Sequence, residues 1–384
     1  METLSRIQQM PSDTTTQVKE KDRLLRTHFR PLSEAFRSVA DLWCSFFFHT
    51  GTNRITPALY DIAVQRLGNR ASLRQFVGGA ELSAAIASVR KPGIDCFHWE
   101  LEFPNIFEPS REEHGFDAII GNPPYDVLSE KELRRDLSQI KAYIAANPIY
   151  APSRRKKNNL YKLFMCRFVE LLRDNGRLGV IVPMALLGDD ISAVVRRMLI
   201  EQGTFTKIDV FPQKDDPRKR VFRDAKLSTA VIHYTKTRDS TGLARPFISH
   251  VHPENKIEQS SPSLTLTRQE IPLYDPSNVT IVSCSQADWD LAARIMSNGR
   301  MVRLRDYVEF SQGEVNETNQ REAGNLCGPN EGQLVVRGAN ICLYITRPPS
   351  QGSDIFLDVE KFLQSAADDS KAFHHRYESC RAGE

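Results

Sequence analysis

A chain of 384 residues with 40% hydrophobic and 26% charged residues is long enough to bury cores in two domains of ordinary size, which excludes wholesale disorder. A formal net charge of +3 permits a nucleic-acid surface without demanding one, because a basic groove is readily offset by acidic surface elsewhere. Seven scattered cysteines, none spaced Cys-x-x-Cys, fit reduced thiols in a cytoplasm, and the most apolar short run, Trp43 to Phe48, is far too short to span a membrane. No metal site is expected: His374, His375 and Cys380 lie close together but lack a further ligand pair at zinc spacing.

Residues 1 to about 25 are polar and read as a frayed lead-in or a short helix. Apolar residues then recur at three- and four-residue intervals from Phe36 to Phe48 and from Leu59 to Leu67, predicting helices in which Trp43, Phe46, Phe47 and Phe48 are core. Cys96 to Phe107 alternates and breaks at Pro104, as a strand or hairpin would. A strand is expected over Phe116–Ile120, halted by Gly121-Asn122-Pro123-Pro124. A helix follows from Leu160 to Leu172 with Asn159 as N-cap and Gly176 past its end. Further strands are predicted at Leu178–Val182, Thr206–Phe211 and Ser228–Tyr234, with a helix at Ile191–Ile200. Strands buried on both faces and separated by helices mark a parallel-rich α/β sheet. The expected division is a helical region at 1–95, a catalytic core at 96–236, a connector at 237–300 carrying a helix at Gln286–Ser297, and a less regular domain at 301–384 with a short strand at Gln333–Val336.

The chemistry is concentrated where the first strand stops, at Asn122-Pro123-Pro124-Tyr125. An exocyclic amine on a base is a poor nucleophile, since its lone pair is delocalised into the ring. A side-chain amide oxygen and a main-chain carbonyl aimed at its two N–H bonds would localise that pair and disperse the charge that develops on alkylation. Asn122 and the carbonyl of Pro123 supply such a pair. Pro123 and Pro124 fix φ and remove two backbone donors, so the loop is stiff and presents acceptors. Tyr125 then offers a face on which a flipped base stacks. The bland alternative is a strand-terminating turn in which Asn-Pro and Pro-Pro only form the turn.

These residues resemble the amino-methyltransferase family, whose adenine-N6 members carry Asn-Pro-Pro-Tyr after the fourth strand of an S-adenosylmethionine-dependent fold. The segment Val221 to Ile232 is similar to the family's loop before its seventh strand, which implies that Phe222 packs against the flipped adenine; its other reading is a core side chain at a strand entrance. Arg218, Lys219, Arg220, Arg223 and Lys226 surround it and are candidates for phosphate contacts, as are Arg154, Arg155, Lys156 and Lys157 ahead of the 160–172 helix; either run could equally be a solvated face. The resemblance is nearest to the large type IIG restriction-modification enzymes and covers roughly Phe36 to Phe362. Cys96 to Pro104 looks like the approach to their active site, and Gly313 to Asn316 with Val336 to Ile341 like the opening of their target-recognition domain. It implies a Rossmann-like class I methyltransferase core acting with S-adenosylmethionine on adenine N6 of double-stranded DNA, in restriction-modification or phage defence.

Strands four to seven of that core are recognisable, but strands one to three have no clear counterpart. A methyl-donor site needs a glycine-rich turn after a strand. The nearest candidate, Phe76-Val77-Gly78-Gly79-Ala80-Glu81, follows no convincing strand, so the cofactor-binding residues are unknown. The simplest expectation is that Met1 begins inside a longer ancestral enzyme, leaving a fragment, a split subunit completed by a second chain, or a degraded gene product. No nuclease motif is found. The alternatives are a catalytically inactive DNA-binding remnant and a protein glutamine N5-methyltransferase, which shares the motif for the same chemical reason. A cytosine-C5 enzyme is disfavoured by the lack of a Pro-Cys loop.

Overall fold

A computed structural model describes residues 6–7, 9–48, 55–90, 96–108, 113–154 and 158–299 and, beyond Gly299, 302, 307–308, 315–328, 331–336, 341–342, 345–346 and 355–366. Arg155, Lys156, Lys157, His374, His375 and Cys380, with much of the segments 313–316 and 336–341, lie outside the described residues. The chain divides into two compact units, Met1–Gly299 and Arg300–Glu384.

The polar lead-in forms a helix, α1 (Thr15–Leu24), because Thr14 and Gln17 close a capping box on its first turn. Four amphipathic helices follow, α2 (Arg30–Phe48), α3 (Pro57–Gln65), α4 (Arg70–Val77) and α5 (Ala80–Ser88). They bury Val39, Leu42, Ala63, Leu73, Leu82, Ala85 and Ile86 in a core of their own. Trp43, expected inside, is 50% exposed: it sits at the rim of this core, edge-on to Phe46 and Phe47 and tilted on Tyr60.

Cys96–Phe107 forms no strand. Its one regular piece is a helical turn at Trp99–Glu102, and its alternation serves instead to set Trp99, Phe103 and Phe107 around Phe116 at ring separations of 5.1–5.9 Å. Polar links hold the segment to α2, His98 Nε2 to Asp41 Oδ1 at 2.7 Å and Arg37 to Glu102. The aromatic rows therefore pack as a cluster at the entrance of the first strand.

Six strands build the sheet: β1 (Phe116–Gly121), β2 (Leu172–Pro183), β3 (Gly203–Phe211), β4 (Thr229–Lys236), β5 (Phe247–Val251) and β6 (Ser263–Leu266), in the spatial order β1-β2-β4-β3-β5-β6. β1 pairs parallel with β2, and β3 with β5, whereas β4 is inserted antiparallel between β2 and β3, and β6 is antiparallel to β5. The α/β reading holds, with four of six strands running one way. Two differences from expectation are physical. Apolar periodicity carries no strand direction, so the reversal of β4 was not legible. Residues 237–300, expected as a connector with a few extended pieces, contribute β5 and β6 to the sheet itself, and their inward residues Phe247, Leu264 and Leu266 are buried in the main core.

Helix α6 (Ser138–Ala146) contributes to a small core of its own, while α7 (Leu160–Leu171) and α8 (Ala193–Gln202) cover the sheet through Tyr161, Met165, Val169, Val195 and Leu199. α7 passes straight into β2. Gly176 lies not at a helix stop but in the irregular start of that strand, where the carbonyl of Phe116 is 2.8 Å from where a Cβ would sit. The predicted helix at Gln286–Ser297 is present as α9, capped by Ser285 and buried through Trp289.

In the second unit, Leu326–Cys327, Gln333–Leu334 and Phe356–Leu357 form a three-stranded antiparallel sheet with Phe356–Leu357 in the middle. A helix, Val359–Ala366, follows, and Leu357 and Phe362 are buried.

Candidate active site

β1 is an edge strand. It has no partner on its outer side among the described residues, and Ile120, on a face of the strand beside Gly179, is 90% exposed. The chain leaves β1 at Gly121 and enters the irregular segment Asn122-Pro123-Pro124-Tyr125. Short links fix its far side: the Leu128 amide donates to the Asn158 carbonyl (2.8 Å), the Leu160 amide to the Asp126 carbonyl (2.9 Å), and Val127 bridges Asn159. Asn159 stands at the N-cap between the two residues that make this clamp; its carbonyl accepts from the Lys162 amide, but its side chain makes no capping bond.

Pro123 is buried and Asn122 exposed. Tyr125 is partly buried against the main core, and its hydroxyl donates to the Ile181 carbonyl of β2 at 3.2 Å. Burial pushes the Tyr125 phenol up to about 12, so it is a neutral donor at physiological pH. The rings of Tyr125 and Phe222 stand edge to face with centroids 6.0 Å apart. Residues Asn122 to Tyr125 and Val221 to Ala225 together line one open cavity of about 580 Å³. Two segments a hundred residues apart, singled out separately in the sequence, thus share one concave surface with an amide side chain at its lip and aromatic walls.

The basic residues fare differently. Arg220 is 9% exposed, and its guanidinium donates to the carbonyls of Arg223 and Lys214, so it folds the Phe222 loop rather than facing solvent. Asn255 donates to the carbonyls of Arg218 and Arg220 and steadies the same loop from β5's side. Arg218 pairs with Asp216, Lys219 with Glu254 and Lys226 with Asp215 at 2.8–3.4 Å, all pairs on the surface, where such contacts are easily exchanged. Arg223 is exposed beside the cavity. Arg154 donates to the carbonyls of Ile144 and Asn147 and acts as a backbone staple.

Sequence reasoning also missed Arg196 on α8. It is wholly buried, with its guanidinium forked onto the Asn278 carbonyl (2.8 and 3.1 Å) and the Leu186 carbonyl (2.8 Å). Desolvation pulls its ionisation down to about 10. Within an amphipathic helix this arginine carries no local signal.

A donor cradle is not found in the described residues. Gly78 ends α4 and Gly79 begins α5, so the one Gly-Gly pair joins two helices instead of turning from a strand onto a phosphate- or carboxylate-binding helix end. Among the described residues no helix is long and apolar enough to cross a membrane.

An amide-and-proline loop closing a sheet strand thus faces an aromatic loop, as the resemblance read from the sequence leads one to expect. In line with this, residues 40–216 match the family model of the Eco57I restriction-modification methylase, so the resemblance read from Asn122–Tyr125 extends over that whole segment. The chain is 29% identical over 202 residues to the type II methyltransferase M.AccI of Acinetobacter calcoaceticus, covering 46% of this chain and 35% of that protein. It is 29% identical over 133 residues to a type II methyltransferase of Thermus thermophilus, covering 34% of this chain and 28% of that one. The chain therefore spans about a third of the length of these relatives. Among solved structures, the type IIG restriction endonuclease BpuSI aligns over 64% of this chain and 32% of its own, at 12% identity and a TM-score of 0.30.

Proposed function

We propose that this chain is the target-base half of a DNA adenine-N6 methyltransferase of a restriction-modification system. The observation that carries the reading is the single cavity shared by Asn122–Tyr125 and Phe222. A flipped adenine seated there would stack against Tyr125 and Phe222 while its amine donates to Asn122 Oδ1 and the Pro123 carbonyl. By accepting from the two N–H bonds, both acceptors localise the amine lone pair on nitrogen and stabilise the positive charge there as the new bond forms. Tyr125, tied to β2 through Ile181, keeps its ring in place without competing for the amine. Exposed Arg218, Lys219 and Lys226 around the Phe222 loop would exchange their surface pairs for DNA phosphates, and exposed Arg223 would add a further cation.

S-adenosylmethionine, the donor the resemblance implies, would supply the methyl group. The described residues do not fit it, since the Gly78-Gly79 pair links two helices. The donor-binding half is accordingly assigned to other polypeptide, a second chain included. The open outer edge of β1 supports that reading, because a strand added there would pair its free backbone groups. The second unit is assigned to target recognition on the resemblance alone.

The test is binding of short fluorescent single-stranded oligonucleotides to the full chain, comparing a probe holding one adenine among thymines with the same probe abasic at that position. The adenine probe should bind about tenfold more tightly, and Asn122→Ala should remove most of the preference. Equal affinity of the two probes for the wild-type chain refutes the assignment. Titration of labelled S-adenosylmethionine, with and without DNA, reads the donor question separately.

A further inference from the structure

Beside the adenine cavity lies a second open cavity, of about 670 Å³, whose floor is apolar, with Leu187, Ile281 and Val282, and whose rim carries Lys214, Lys226 and Tyr274. Its two walls are the turn after β2 and the strap 275–283, and they are joined by several hydrogen bonds. Ile281 donates its amide to the Leu187 carbonyl at 2.9 Å, and the buried Arg196 guanidinium bridges the Leu186 and Asn278 carbonyls. Arg197 adds donors to the carbonyls of Pro276 and Ser277. Between them Val279 is held at φ +48°, where a β-branched residue is an outlier, with its amide bonded to the Asp275 carbonyl at 2.7 Å. Strain of this kind persists only where surrounding contacts over-determine it, and it concentrates at ligand-binding segments.

One loop lines both cavities: residues 221–225 line the first, and 226–228 line the second. Its rim has the composition of a single-strand platform. Tyr274 is 53% exposed, the Lys214 ammonium has no ion-pair partner among the described residues, and Lys226 is held only by a surface pair to Asp215. An exposed aromatic ring beside two cations matches a base to stack and a phosphate to neutralise. Asp189, also on the rim, would repel a phosphate from its own side and so leaves the lysine side for the backbone.

We infer that this groove binds the nucleotide adjoining the flipped adenine on the same strand, with its base against Tyr274 and its phosphate between Lys214 and Lys226. The inference rests on the adenine cavity being the target-base site. The groove fixes the strand entering that site and makes its occupant a positioning contact in methylation, distinct from the base that reacts.

The experiment uses the full chain and the fluorescent thymine probes with one adenine, now made abasic at the position immediately 5′ or 3′ of the adenine. Removing the base on one of the two sides should weaken wild-type binding about five- to tenfold. Tyr274→Ala should bind intact and neighbour-abasic probes equally, while Tyr274→Phe, which keeps the ring, should retain the difference. Lys214→Ala should weaken every probe and reduce the slope of log affinity against log salt by about 0.7. Indifference of the wild type to both neighbouring bases, or a difference that survives in Tyr274→Ala with its thermal unfolding unchanged, overturns the groove. The adenine-to-abasic comparison reports on the target-base site independently, so loss of that preference with the neighbour effect intact would sink the adenine assignment and spare the groove's affinity for a nucleotide.

Discussion

Replacing Arg196 by methionine tests how the walls around the site are held. The guanidinium is fully buried, has no carboxylate within ion-pair distance among the described residues, and gives three hydrogen bonds to two carbonyls that would otherwise be orphaned. Each buried carbonyl left unpaired costs about 1–3 kcal/mol, which sums to roughly 2–6 kcal/mol for Leu186 and Asn278. Removing a buried, unpaired charge recovers part of this, because its desolvation no longer opposes folding. The net expectation for Arg196→Met is a loss of about 2–4 kcal/mol, read as a shift of the urea unfolding midpoint. Arg196→Lys should recover less than half of it, since an ammonium lacks the planar fork that spans both carbonyls. A loss below about 1 kcal/mol, or a gain, would show that the hydrogen bonds merely offset desolvation, and the account of the strap as clamped by Arg196 would fail.

Tyr125, whose phenol is raised by burial, should lend stability that is complete below its ordinary pKa near 10 and lost as pH climbs through about 12; Tyr125→Phe should flatten that alkaline fall in a thermal-melt series against pH. Asp209 is buried at the centre of the sheet, where burial alone would raise its carboxyl, yet hydrogen bonds from His252 and Lys207 hold it below the usual range. Its contribution is present above the ordinary carboxylate pKa of about 4 and lost as pH falls below that, so Asp209→Asn should cost about 2–4 kcal/mol at neutral pH and remove an acid-dependent component from unfolding followed by circular dichroism. Arg220→Ala should loosen the Phe222 loop and lower affinity for the adenine probe several-fold while the thermal transition of the sheet stays in place; unchanged affinity would separate Phe222 from base binding.

The residues of the motif determined the local chemistry on their own. Asn122-Pro123-Pro124-Tyr125 announces a stiff, acceptor-rich strand end because proline fixes φ and lacks a donor, and those constraints act within four residues of chain. The helices at Phe36–Phe48 and Leu59–Leu67 and the strands at 178–182 and 206–211 were legible for the same reason: periodic burial writes itself into local sequence. Sequence could not tell that Cys96–Phe107 packs as an aromatic cluster around Phe116, since alternating apolar residues serve a strand or a rim equally well. Nor could it separate Arg220, which staples a loop from within, from Arg218 and Arg223, which face solvent beside it. That distinction depends on which carbonyls the fold leaves unpaired. The direction of β4, the recruitment of 247–266 into the sheet and the bridge from Arg196 to Asn278 are likewise tertiary, because they join residues tens of positions apart whose local patterns are indifferent to one another. Sequence alone thus singled out the loop proposed to engage a base. The sheet decided what stands opposite it, by bringing Phe222 to 6.0 Å from Tyr125 across a strand order that local periodicity does not encode.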